Sequence, residues 1–248
     1  MEQSAWNLRC TAFTVPKQEN SHAQNEDATA WDNETGRYAV ADGASESIFA
    51  GEWAKMLAEA FVAAGPREET FADWLGQTQT SWTAGLSQRT LPWYVEEKLQ
   101  DGAFATLLGL VLHGSNQDST RSWSALSVGD CCLFQISGER LKFAFPLTTS
   151  AGFGNRPTLI SSLKNAAVSL MPAKGSVRPG DQLLLMSDAL AQWFLSQHEK
   201  MRNPWQEIAR LTEARFAGWV EILRKSRQIK NDDVSLLRIE TLADDSLR

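Results

Sequence analysis

The chain is poor in the residues from which several common sites are made. It holds three cysteines in 248 residues, Cys10, Cys131 and Cys132, and three histidines, His22, His113 and His198. The cysteine count is odd and two are neighbours, so a disulfide framework is disfavoured and a reducing cytoplasm is the expected location. No two histidines are close in sequence, which argues against zinc held by His or Cys spacing. No apolar run approaches the ~20 residues of a membrane span. The opening MEQSAWNLRC lacks a basic-then-apolar pattern, so no signal peptide is expected. Positive charge is in the minority: the net charge of −6 argues against nucleic acid as the main partner. There is no G-x-x-x-x-G-K-[ST] phosphate loop and no G-x-S-x-G nucleophile elbow, which disfavours a nucleotide kinase and a serine hydrolase. Internal repeats, low-complexity tracts and linkers are absent as well.

What is present is a chain 43% hydrophobic, ample for a packed core. We expect one domain over residues 1–240 and a frayed tail over 241–248. Leu8 to Val15 reads as an opening strand ended by Pro16. Asp27 to Asp32, a turn at Asn33-Glu34-Thr35-Gly36, and Arg37 to Ala41 read as a hairpin. A helix follows from about Ser45 to Ala64, with Ser45 or Ser47 as cap and Phe49, Trp53, Leu57 and Phe61 on one face. A second opens near Thr70, and Trp93 to Gln100 adds a further turn or two. The period then changes. Phe104 to His113, Ser122 to Val128, Cys132 to Ile136 and Leu141 to Phe145 read as an antiparallel meander. Pro146 to Pro157 is an irregular excursion, and Val168 to Met171 and Gln182 to Met186 are further strands. Ala189 to Gln197 forms a short helix, and Asn203-Pro204 introduces another that runs through Leu223. Val234 to Ile239 is the last strand.

Acidic residues collect at the ends of these strands. If the hairpin closes, Glu26 and Asp27 lie beside Asp42. Asp188 follows the strand ending at Met186, Asp130 occupies a turn, and Asp232 and Asp233 precede the final strand. Taken alone, an Asp-Gly after a strand is only a turn. Several carboxylates at apolar strand ends are costly unless paired or bound to cations. Oxygen ligation of that kind suits Mg²⁺ or Mn²⁺ rather than Zn²⁺.

The ordered set Asn25-Glu26-Asp27, Val40-Ala41-Asp42-Gly43, Ser127-Val128-Gly129-Asp130, Leu184-Leu185-Met186-Ser187-Asp188 and Asp232-Asp233-Val234-Ser235 resembles the metal-dependent protein phosphatase family, type 2C. Gly102 to Leu112 is similar to its threonine-bearing strand. The likeness spans about Leu8 to Glu240 and is nearer to divergent bacterial members. It implies an α+β fold, a four-layer α-β-β-α sandwich of two antiparallel sheets flanked by helix pairs. It also implies a site for two Mg²⁺ or Mn²⁺ ions and a weaker third. Asp42 would bridge two metals, Asp188 and Asp232 hold the first, and the Gly43 carbonyl and Glu26 serve the second. Asp130 would serve the third, and Asp27 would orient metal-bound water. The implied activity is hydrolysis of phosphoserine and phosphothreonine by activated water. The implied partner is a phosphorylated protein with a cognate kinase, and neither nucleic acid nor a membrane.

The chain departs from the pattern at several points. His22 stands where the family usually carries a phosphate-binding arginine. It lacks a guanidinium fork but, protonated, is able to bind phosphate or donate the leaving-group proton. Lys17 is a second candidate phosphate contact. Ala44 and Ala189 replace glycines. Asp232-Asp233 replaces Asp-Asn, and register favours Asp232 as the ligand. Two other readings stand beside the phosphatase: a catalytically weak relative that binds phosphopeptides or regulates, and a two-metal hydrolase of a small phosphoester.

Overall fold

A computed structural model describes residues 6–115, 118–154, 156–164 and 168–243. The chain opens with strands β1 (Trp6–Val15), β2 (Asp27–Asp32) and β3 (Arg37–Asp42), then helices α1 (Ala50–Ala64), α2 (Phe71–Leu86) and α3 (Trp93–Leu99). Strands β4 (Phe104–Ala105), β5 (Leu107–His113), β6 (Arg121–Val128), β7 (Cys132–Ser137), β8 (Arg140–Phe145), β9 (Ile160–Ser161), β10 (Met171–Val177) and β11 (Gln182–Met186) follow. Helices α4 (Asp188–Glu199), α5 (Pro204–Ala209) and α6 (Glu213–Lys225) lead to β12 (Val234–Ala243). One sheet runs β1-β12-β11-β7-β8 and the other β10-β6-β5-β3-β2, and all their pairings are antiparallel.

Side-chain alternation along the strands builds three apolar layers. Between the sheets, Tyr38, Val40, Leu108, Leu110 and Trp123 meet Leu133, Leu183, Leu185, Leu237 and Ile239. Their neighbours point the other way. Ala39, Ala41, Leu107 and Val128 pack under Trp53, Leu57 and Phe61 of α1 and Trp74 and Trp82 of α2. Phe134, Leu184, Met186 and Leu236 pack under α4, α5 and α6 through Trp193, Phe194, Ile208, Phe216 and Val220. The result is the expected α+β sandwich, helices outside two face-to-face antiparallel sheets. Each fully buried large apolar side chain contributes about 1.5–3 kcal/mol of transfer free energy.

Several boundaries differ from the sequence reading. Helix α1 begins at Ala50, not near Ser45, and its N-cap is Phe49 in the left-handed region at φ 56°. Ser47 is not a cap: its hydroxyl donates to the Ala44 carbonyl and accepts from the Phe104 N–H. The expected single strand from Phe104 to His113 breaks at Thr106. The helix introduced by Pro204 also breaks, because the buried Arg238 guanidinium bonds the Ile208 and Leu211 carbonyls at 2.8 and 3.0 Å and closes α5 there. The strand expected at Val168 to Met171 lies later, as β10. Strands β6 and β7 are not meander neighbours; the chain crosses from one sheet to the other between them. The last strand runs on to Ala243, paired with β1, so Thr241 to Ala243 are not a frayed tail. Residues 244–248 of that tail lie outside the described residues, as do Asn155 of the excursion and residues 1–5.

Candidate metal centre

The β2–β3 hairpin closes as its turn chemistry requires. Asp32 Oδ1 accepts the Glu34 N–H at 2.8 Å, and Gly36 supplies a positive φ of 66°. The register pairs Asp27 with Asp42, so the two carboxylates lie across from each other at one rim of the sheet. Asp188 arrives from the other sheet at the first turn of α4, where a carboxylate is favoured by the helix dipole. Asp130 lies on the crossing between sheets. Gly129, at φ 101°, makes that crossing possible, and a Cβ there would come within 2.5 Å of the Thr106 methyl. Thr106 in turn ties the rim together: its N–H donates to the Asp42 carbonyl at 2.8 Å and its hydroxyl accepts the Asp42 N–H at 3.2 Å.

The outcome is a triad. Asp42, Asp130 and Asp188 each offer a carboxylate oxygen, and these oxygens all lie within 4.8 Å of one another. Asp27 stands behind them. Neither of its oxygens has a hydrogen-bond partner among the described residues, and nor does Asp130 Oδ1, although all three are buried. Burial, then the charges of Asp27, Asp188, Asp232 and Asp130, holds the Asp42 carboxyl well above the usual carboxylate range. Asp27 is raised for the same first reason; the Ser187 and Ser235 hydroxyls offset part of this without reaching hydrogen-bond geometry. Burial raises Asp130 to about 7, with Asp188 adding and Lys230 opposing. Asp188 is also raised, burial outweighing the Lys230 ammonium beside it. Orphaned, mutually repelling oxygen donors fit a hard divalent cation. The nearby thiol does not compete as a ligand or nucleophile: burial raises Cys131 well above the usual thiol range, and its Sγ lies 3.1 Å from the Thr106 hydroxyl.

The other expected residues lie around this triad. Asp232 sits at the rim with its side chain 35% exposed, held at 3.1 Å by Lys230. Asp233, the alternative ligand, faces elsewhere: buried, it accepts the Lys17 N–H at 2.7 Å and the Glu26 N–H at 2.8 Å. The Glu26 carboxylate is bound by the Ser45 hydroxyl and by the Lys17 ammonium at 3.3 Å. The Gly43 N–H donates to the Glu26 carbonyl at 3.1 Å. A Cβ on Gly43 would meet the Ala50 carbonyl carbon at 2.6 Å, so only glycine lets α1 approach this close. His22 is exposed in a single 3₁₀ turn, His22–Gln24. With Lys17, Glu26, Ser45, Phe49 and Lys55 it lines an open cleft of about 640 Å³, which none of Asp42, Asp130 and Asp188 lines. His22 and Lys17 thus share the lining of that cleft with Glu26. Sequence reasoning missed Lys230, which lies between the last helix and the final strand. It also missed the latch made by Asp233 and the brace made by Thr106.

No protein-family model matches the chain, and no curated protein sequence matches it. Solved structures do. PppA, described as a key regulatory component of the type VI secretion system in Pseudomonas aeruginosa, superimposes with a TM-score of 0.61 at 17% identity, over 96% of this chain and 100% of that one. The serine/threonine phosphatase PstP of Mycobacterium tuberculosis gives 0.62 at 18% identity, over 96% and 100%. The PstP catalytic domain in complex with two manganese ions gives 0.61 at 17%, over 96% and 99%. The fold is therefore that of the type 2C metal-dependent phosphatases.

Proposed function

We propose that the chain is a metal-dependent protein serine/threonine phosphatase, hydrolysing phosphomonoesters of phosphorylated protein substrates set by a cognate kinase. The observation that carries this reading is the convergence of Asp42, Asp130 and Asp188, from two sheets and a crossing, within 4.8 Å. A divalent cation, Mn²⁺ or Mg²⁺, supplies positive charge for phosphoryl oxygens and makes water a nucleophile at neutral pH. In this reading Asp42, Asp130 and Asp188 hold the cation, and Asp232, the Gly43 carbonyl and Glu26 shape its surroundings. Asp27, whose buried carboxylate oxygens have no hydrogen-bond partner among the described residues, orients what the cation binds. Lys17 and His22 line the adjoining cleft and are assigned to the substrate phosphate, His22 also as donor to the leaving oxygen. The free thiols Cys10, Cys131 and Cys132 suit a reducing cytoplasm. No helix among the described residues is long and apolar enough to cross a membrane.

The test is hydrolysis of an aryl phosphate and of a phosphothreonine peptide by the purified chain with Mn²⁺, with chelator, and after Asp42→Asn. Activity should require metal and fall on the order of a hundredfold or more in the variant, as expected when a preorganised charge is removed. Metal-independent turnover would sink the proposal. Phosphopeptide binding without turnover would identify a binding module instead.

A further inference from the structure

Lys230 reaches into the carboxylate rim. Its ammonium is bonded to Asp188 Oδ2 and lies 3.1 Å from Asp232 Oδ2. These two residues are the pair that the family resemblance assigns to the first of two metals. We propose that Lys230 takes the place of that cation, so that the Asp42–Asp130–Asp188 triad holds a single divalent ion. The inference rests on the metal-dependent reading and concerns its stoichiometry.

Three observations support it. The ammonium bridges the two carboxylates, as a metal on that pair would have to. A metal held at about 2.0–2.6 Å from both oxygens would overlap Nζ. Ammonium and ion therefore exclude each other from that pair by overlap, whereas the triad has oxygens on Asp42 and Asp130 that Lys230 does not occupy. Next, the backbone that presents Lys230 is fixed. Ile229 is buried in the core beside it, the Asp232 N–H donates to the Lys230 carbonyl at 3.1 Å, and Arg224 donates to the Asp232 carbonyl at 2.6 Å. The lysine therefore starts from a set position rather than from a loose loop. Last, the triad keeps its attraction for a cation: one ammonium cannot balance Asp27, Asp42, Asp130, Asp188 and Asp232. Asp27 Oδ1, Asp27 Oδ2 and Asp130 Oδ1 remain without a hydrogen-bond partner among the described residues.

The experiment counts ions. The full chain is stripped of metal and titrated with Mn²⁺ by equilibrium dialysis with elemental analysis, and the bound manganese is examined by electron paramagnetic resonance. Wild type should take up one Mn²⁺ per chain with the spectrum of an isolated ion. Lys230→Met, which keeps the aliphatic stem, should add a second ion with an affinity raised on the order of a hundredfold and a spin-coupled spectrum. Lys230→Arg keeps the charge and should stay at one ion. Two ions on wild type, or on Lys230→Arg, would overturn the inference while leaving the phosphatase reading intact, and the wild-type count decides this even if Lys230→Met does not fold. No manganese on wild type or on either variant, with circular dichroism showing folded chains, would sink the metal-dependent reading itself and this inference with it.

Discussion

At the scale of single residues, the adjacent pair Asp232 and Asp233 divides its duties. Asp233 is 3% exposed and takes two backbone N–H bonds, from Lys17 and Glu26, that join the start of the site to its end. Removing it leaves two N–H groups without that acceptor. Charge-assisted bonds of this kind contribute about 1.5–3 kcal/mol each, with incomplete additivity. Asp233→Ala should therefore lower unfolding stability by roughly 3 kcal/mol in urea melts. Asp233→Asn should lose about half of that, since an amide offers only one acceptor oxygen. Asp232→Ala, at the exposed rim, should change stability by less than about 0.5 kcal/mol. Equal losses at the two positions would refute the division. The family motif marked this pair, and register favoured Asp232 as the ligand; in the structure the Asp233 carboxylate is taken up by the Lys17 and Glu26 N–H groups. The latch itself was not legible. Neighbours on an extended chain point to opposite sides, and which side holds two free N–H groups depends on Lys17 and Glu26, about two hundred residues earlier. Lys230 was hidden for a related reason. A lysine in a polar stretch has no periodic signature, and only the fold brings Asp188 to it.

At the scale of elements, long periodic segments were readable and their junctions were not. The faces of α1 and α2 follow from residues three and four apart, and the hairpin follows from its turn. The break between α5 and α6 carries no glycine or proline, because a distant side chain, Arg238, makes it. The crossing from β6 to β7 looked like a hairpin, since the residues on either side of it, 125–128 and 132–136, are buried on both faces and alternation there cannot tell which sheet each strand joins. One close junction is that of β3 with α1 at Gly43. Gly43→Ala would drive a methyl into the Ala50 backbone at 2.6 Å, and the backbone must shift. A loss of roughly 1–3 kcal/mol is expected, together with, on the proposed function, slower aryl phosphate hydrolysis at temperatures where the protein stays folded, because Asp42 precedes the displaced residue. Gly85→Ala is the matched control. It lies in α2 with open space around its Cβ, and should be neutral or stabilising by up to about 1 kcal/mol. Thermal melts and aryl phosphate assays on the pair decide the point. Comparable stability of the two variants would show that α1 yields at no cost.

At the scale of the whole molecule, the two sheets converge their acids on one rim, so their stability carries an electrostatic penalty that depends on pH and on cations. The carboxyls of Asp27, Asp42, Asp130 and Asp188 are all raised above the ordinary value of 3.8, Asp130 to about 7. Between those values the folded chain holds protons that the unfolded chain has released. The stabilising contribution of each group is therefore complete below about pH 4 and is lost as pH rises through its folded value. For the metal-free protein this means a melting temperature that falls between pH 5 and pH 8. The Lys230 pairings with Asp188 and Asp232 do not cancel the trend, since the lysine stays charged throughout that range. A shift of one pKa unit corresponds to about 1.4 kcal/mol, and a chain of this size moves by roughly 2–4 °C per kcal/mol. A drop of roughly 5 °C or more is expected in chelator. Saturating Mn²⁺ at pH 8 should restore it, because a cation that binds the ionised triad stabilises only the folded state. At pH 5 the same addition should do much less, since protons and metal compete for the same oxygens. Melting curves at the two pH values, with chelator and with Mn²⁺, test this directly. Equal stability at pH 5 and pH 8 without metal would mean that the acids are relieved by something other than protons. A pH-dependent drop that Mn²⁺ fails to reverse would mean that the triad holds protons but no metal.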